Sequence, residues 1–154
     1  MESPYNEILS PIFRVNDATF AMLLDQGVHF ENETTKINHP LAQAIREAIS
    51  KDHISILKLL LTKSYGINVE DGEGRTPLFW AIDSRRENMI NLLLDWGDNI
   101  ELKDKYDCTP LMYATFQGPY LSNVKTLLDR GADIDAKNIE GSSPLSIIKK
   151  IFLD

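Results

Sequence analysis

Cys108 is the only cysteine in a chain of 154 residues, and the three histidines, His29, His39 and His53, all lie well upstream of it. A Cys–His nucleophilic pair requires thiol and imidazole in contact, which a chain of sequentially stacked units would not bring about. A zinc site requires several closely spaced Cys, His or acidic ligands, and one thiol with scattered imidazoles supplies no such set; neither a metal nor a cofactor is expected. Carboxylates are plentiful, with Asp98, Glu101, Asp104, Asp107, Asp133, Asp135 and Glu140 crowding one part of the chain. Two of them could stand at the separation used in glycoside hydrolysis, but acids spread over turn-like segments read as a solvated face. Gly72-Glu73-Gly74 in "DGEGRTPLFWAI" offers a loop that could cradle a phosphate. Such a loop follows a buried strand and, in a P-loop, ends in Gly-Lys-Ser/Thr; here Arg75-Thr76-Pro77 follows. No residue is assigned a catalytic role, and an enzyme is not expected.

The glycine stretch belongs to a phrase that recurs. "DGEGRTPLFWAI" is followed by "DKYDCTPLMYA" and then "NIEGSSPL", so that Thr76 to Thr109 is a step of 33 and Thr109 to Ser143 a step of 34. A period in this range marks a stacked array. A second landmark keeps register with the first: Leu93-Leu94 precedes Gly97, and Leu127-Leu128 precedes Gly131. Threonine can cap a helix start and proline suits the first helical position, so Thr76-Pro77 and Thr109-Pro110 predict helix starts. Gly97 and Gly131 predict helix ends, where a left-handed residue is easiest without a Cβ. Gly72 and Gly74 then read as a turn between units, with Asp107 tolerated where Gly74 and Gly141 stand because Asp also accepts turn geometry. Met89, Ile90, Leu93 and Leu94, like Leu57, Leu60 and Leu61, have the spacing of one buried helix face.

The combination of Thr-Pro-Leu, a paired leucine, glycine and an Asp/Asn-rich connection resembles the ankyrin repeat. Residues 71–103 and 104–137 match over almost their whole length, with Gly74, Thr76, Pro77, Leu78, Ala81, Leu93, Leu94 and Gly97 at family positions. Residues 34–70 match with about one extra helical turn in "AQAIREAISKDH", expected to push Arg46, Glu47 or Lys51 away from the stack, and with Ser64 in place of the usual glycine. Residues 1–33 lack Thr-Pro-Leu, as a capping unit would, and 138–154 form a half unit whose Ile147, Ile148, Ile151 and Phe152 close the far end. The resemblance implies an all-α ankyrin-repeat solenoid of helix-turn-helix units joined by β-hairpin-like loops, one domain over 1–154. Its His53 stands where the family often carries a structural histidine.

In this family the hairpin tips and the exposed side of each first helix hold partner proteins. Carried over position by position, the partner-binding candidates are Glu73, Arg75, Asp83, Ser84 and Lys103, then Lys105, Tyr106, Cys108, Phe116 and Gln117, then Lys137, Ile139 and Glu140. Tyr106 and Phe116 are the aromatic anchors, Trp80 reads as core and Trp96 as partly buried. Cys108 is expected to be partly exposed, and Tyr120 in the loop "QGPYLSN" is a further contact.

The formal charge of −7 would repel a phosphate backbone, which makes nucleic acid and anionic lipid poor partners; the same charge serves solubility or, alternatively, attracts a basic protein. A lone cysteine suits a reducing, cytoplasmic setting. "MESPYNEILSPIF" has no basic n-region or apolar core of a secretory leader, and no apolar run approaches the roughly 20 residues of a membrane helix. A free-standing array, monomeric when unbound, would act by occupying another protein. The expected role is stoichiometric inhibition, such as an immunity protein neutralising a basic toxin. The alternatives are a viral or bacterial protein intercepting a host signalling factor and an adaptor holding two partners.

Overall fold

Helices form where apolar residues recur at three- and four-residue spacing and stop where the backbone must turn left-handed. The computed structural model describes residues 40–62, 69–118 and 121–153, and contains seven helices and no strand among them. They are α1 (Pro40–Ser50), α2 (Ile54–Thr62), α3 (Pro77–Asp83), α4 (Glu87–Asp95), α5 (Pro110–Phe116), α6 (Leu121–Asp129) and α7 (Pro144–Leu153). The expectations for residues 1–33, Ser64 and Tyr120 lie outside the described residues, as do His29 and His39, and nothing is described of the Phe152 side chain.

The helices pair as α1 with α2, α3 with α4 and α5 with α6. First helices stack in the order α1, α3, α5, α7, and α4 packs on α6. One core runs through this stack. Ile45 and Ile49 of α1, Leu57 and Leu60 of α2, Leu78, Phe79 and Ile82 of α3, and Met89, Ile90 and Leu93 of α4 are fully or almost fully buried. Leu94 is only partly buried. Cys108, Met112 and Ile147 form a smaller cluster beneath α7.

The helix starts differ in detail. Thr109 accepts from the Met112 amide at 3.3 Å, and Ser143 accepts from the Ser146 amide at 3.2 Å while Ser146 Oγ accepts from the Ser143 amide at 2.8 Å. Thr76 has the same extended backbone, φ −88° and ψ 172°, yet its hydroxyl caps nothing and is buried without a partner. The expectation of a threonine cap therefore holds at Thr109 and fails at Thr76.

The extra turn falls in α1, which has 11 residues against 7 in α3 and α5. It does not push Arg46 out of the stack. The guanidinium bonds the Asp71 carboxylate and lies 4.8 Å from the centre of the Trp80 ring, so cation–π and ionic attraction draw it onto the next helix pair. Glu47 and Lys51 pair with each other at 2.6 Å on the exposed side of α1.

Turn positions repeat as well. Gly74, Asp107 and Gly141 have φ of 72°, 58° and 74°. A Cβ on Gly74 would stand 3.2 Å from the backbone nitrogen of Lys105, whereas one on Gly141 meets open space. Gly141→Ala is expected to cost about 1–2 kcal/mol, the left-handed penalty alone. Gly74→Ala is expected to cost more, because backbone must also move; urea unfolding of the two variants checks the order.

Candidate protein-binding face

The tips that join successive helix pairs are each organised by one side chain. Asp71 Oδ1 accepts from the amides of Glu73 and Arg75 at 2.9 and 3.0 Å. Asp104 Oδ1 accepts from Tyr106 and Cys108 at 2.8 and 3.0 Å. Asn138 Oδ1 accepts from Glu140 and Ser142 at 3.0 and 2.9 Å. A short acceptor that satisfies two nearby amides fixes a turn without a ladder. Adjacent tips are then tied together: the Lys105 amide donates to the Glu73 carbonyl at 2.9 Å and the Ile139 amide to the Tyr106 carbonyl at 3.3 Å. Three tips stand in a row on a backbone that cannot easily rearrange.

On this frame the sequence-derived candidates fall into linked groups. Lys105 bonds Glu73 at 2.7 Å and lies 5.0 Å from the centre of the Tyr106 ring; the Glu73 bond holds its ammonium above the ordinary lysine value. Arg75 lies 4.9 Å from the centre of the Tyr113 ring and 4.0 Å from the Asp104 carboxylate. Asp83 accepts from Tyr113 Oη at 3.0 Å and from Gln117 Nε2 at 2.9 Å, and Lys103 Nζ donates to the Lys137 carbonyl at 2.8 Å. Ser84 ends α3, half-buried. Tyr106 and Ile139 project from neighbouring tips with 45% and 64% exposure, and Phe116 is 55% exposed at the far end of α5. Glu140 is exposed on the last tip.

Several expectations change. Cys108 is buried, not partly exposed, and Asn138 Nδ2 donates to its sulfur at 3.7 Å. Burial pushes its thiol up from the ordinary value, the opposite of an activated nucleophile. Asp98 and Asp104 are each 6% exposed, so they do not belong to a solvated acidic face. Trp96, expected to be partly buried, is 40% exposed beside Gly97, while Trp80 is core at 3% with its indole donating to Asp71 at 3.2 Å. His53 joins the stack through its backbone amide, which donates to the Ala48 carbonyl at 2.8 Å.

Sequence reasoning missed Asp71, Asp104, Asn138 and Tyr113. The first three were detectable, since they recur at the same steps of 33 and 34 as the threonines. Tyr113 links Asp83 of one helix pair to Arg75, and burial, reinforced by its bond to Asp83, pushes its phenol up.

Among the described residues no three His, Cys, Asp or Glu side chains gather as metal ligands, and no helix is long and apolar enough to cross a membrane. Residues 17–104 and 41–138 match the family model described as ankyrin repeats (3 copies). The chain is 26% identical over 153 residues, 98% of its length, to the ankyrin repeat protein FPV244 of fowlpox virus (strain NVSL), of which it spans 22%. It is 38% identical over 109 residues to ankyrin repeat and SOCS box protein 5 of Oryctolagus cuniculus, covering 70% of this chain and 32% of that protein. It is 28% identical over 133 residues to protein phosphatase 1 regulatory subunit 27 of Mus musculus, covering 86% of this chain and 80% of that protein.

Proposed function

Because this chain belongs to the ankyrin-repeat family, an interaction fold, we propose that it binds another protein through the row of hairpin tips and acts as a stoichiometric inhibitor. The observation that carries this reading is the pairing of a hydrogen-bonded row of tips with two large outward side chains, Tyr106 and Ile139. A preorganised frame lowers the ordering cost of binding, and an aromatic with an aliphatic neighbour is the kind of anchor that dominates interface energetics. The proposed domain spans 1–154.

The surrounding charge is mixed: Glu73, Asp83 and Glu140 stand with Arg75, Lys103, Lys105 and Lys137. It would fix the orientation of a partner more than its sign. The net charge of −7 acts at longer range and favours a basic protein, which suits an immunity protein that neutralises a toxin in the cytoplasm. Interception of a host signalling factor is favoured instead by the fowlpox virus match over 98% of the chain. The likeness to a phosphatase regulatory subunit supports control of a partner without catalysis.

The test is affinity capture with the tagged chain, sizing for stoichiometry, then titration of the captured partner with Tyr106→Ala/Ile139→Ala. The double variant is expected to fold with an unchanged thermal midpoint and to bind about 30-fold more weakly, the equivalent of roughly 2 kcal/mol. Unchanged binding by the folded variant removes the tips from the interface. Phe116→Ala, measured alongside, reports whether the face extends to the far end of α5.

A further inference from the structure

Asp98 occupies a place that the next repeat gives to an alanine. Gly97 and Gly131 end α4 and α6 with φ of 91° and 90°, and the residues that follow make the same bond, Asp98 amide to Leu93 carbonyl and Ala132 amide to Leu127 carbonyl, both 3.0 Å. Ala132 is 8% exposed and Asp98 6%. A carboxylate thus fills a slot that elsewhere holds a methyl group, and among the described residues neither of its oxygens has a hydrogen-bond partner. Thr76, two residues before Leu78 at the start of α3, is also buried with an unpaired hydroxyl, although its counterpart Thr109 caps α5.

The charged groups around this slot are engaged elsewhere. On α4, Asp95 is paired with Arg130 at 2.6 Å, and Glu87 accepts from Thr126 Oγ1 at 3.3 Å. In the connection that follows, Glu101 accepts from the Asp133 amide at 2.7 Å and Lys103 reaches the Lys137 carbonyl. Arg75 leans on Tyr113 and Asp104, and Asp83 lies at the opposite end of α3, held by Tyr113 and Gln117. Among the described residues none of them pairs with Asp98, whose carboxyl is shifted by burial and by the backbone of Leu78 and Asn99. Burial pushes its carboxyl from 3.8 up to about 7, with the amides of Leu78 and Asn99 pulling partly back without closing a hydrogen bond of ordinary geometry.

We propose that Asp98 is a proton-operated latch: neutral, it lets residues 97–103 seat against the start of α3, and charged, it loosens them. The latch is a property of the fold and stands whether or not the tips bind a partner. A charge in a slot where the described residues supply no counter-ion and no bonded donor is costly, and opening toward water relieves that cost. The folded group is raised above its unfolded value. Its favourable contribution is therefore complete below about pH 3.8 and is lost as the pH climbs toward about 7. The consequence reaches the binding row because residues 97–103 lead directly into Asp104 and Lys105.

The test uses the full chain and two variants, Asp98→Asn and Asp98→Ala, the second being the residue that the next repeat already carries. The Asp98 carboxyl is titrated by carbon-13 NMR, and amide exchange is followed at residues 98–103, corrected for intrinsic chemistry, with 132–137 as the internal reference. In the wild-type chain the opening of 98–103 is expected to increase about tenfold or more between about pH 5.5 and about pH 8, while the reference segment and both variants change little. A carboxyl that titrates near 4, or a wild-type exchange profile matching that of Asp98→Ala, overturns the latch.

Discussion

Phe79→Ala is expected to remove about 3–5 kcal/mol of stability, the range for truncating a buried aromatic. The ring has no exposed surface. It meets Tyr113 of the next helix pair edge-on, with centroids 5.6 Å apart and planes at 67°, so its loss opens a cavity in α3 and removes an aromatic contact worth about 0.5–1.5 kcal/mol between neighbouring units. A stacked array is held by just such nearest-neighbour interfaces. Against a typical total of about 5–15 kcal/mol, a weakened seam at its centre removes a large share of the array's stability. Urea unfolding followed by far-ultraviolet circular dichroism reads the change directly, and a loss under about 1 kcal/mol would contradict the packing described for α3 and α5.

Asp71→Ala is expected to cost about 2–4 kcal/mol at neutral pH, because one carboxylate serves four donors, and an unmade buried hydrogen bond costs about 1–3 kcal/mol. It accepts from two backbone amides at the first tip and from the buried Trp80 indole, and it holds Arg46 over the Trp80 ring. Burial alone would push its carboxyl up, but the Arg75 and Glu73 amides, the Trp80 indole and the Arg46 charge outweigh burial and hold it below 3.8. The folded group is thus depressed relative to the unfolded one. Its contribution is complete above about pH 4 and is lost as the pH falls below 3.8 through the folded value. The difference in stability between the wild-type chain and Asp71→Ala should accordingly shrink in acid, which a pH series of denaturation midpoints measures. Asp98 runs in the opposite direction, its contribution falling from about pH 3.8 upward, so these two acids by themselves place the stability maximum near pH 4.

The array was legible in the sequence because its landmarks answer local backbone demands. Pro77 and Pro110 start helices for reasons contained within a few residues, and Gly97 and Gly131 end them for equally local reasons. What stayed hidden depends on neighbours one repeat away. Arg46 looked like a protruding cation until Asp71 and Trp80 were brought beneath it, and Cys108 looked exposed until Met112 and Ile147 closed over it. Thr76 and Thr109 are identical in motif and differ in whether the hydroxyl finds an amide. Asp98 read as one acid among many, although comparison with Ala132 at the same position already placed a carboxyl in an apolar slot. The candidate binding residues were found by register with the family pattern, whereas the side chains that hold them in place, Asp71, Asp104 and Asn138, recur just as regularly at steps of 33 and 34, and of these only Asp104 was noted, as one acid of a solvated face.

The central claim, that a partner protein docks on the row of tips, is tested most directly by site-specific photo-crosslinking in extract of the source cells. A p-benzoylphenylalanine replaces Tyr106 in one sample and Lys125, exposed on α6, in another. The account predicts one dominant protein adduct from position 106, of equimolar stoichiometry, and none of that species from position 125. The same adduct obtained from position 125 alone, with position 106 silent, would contradict it.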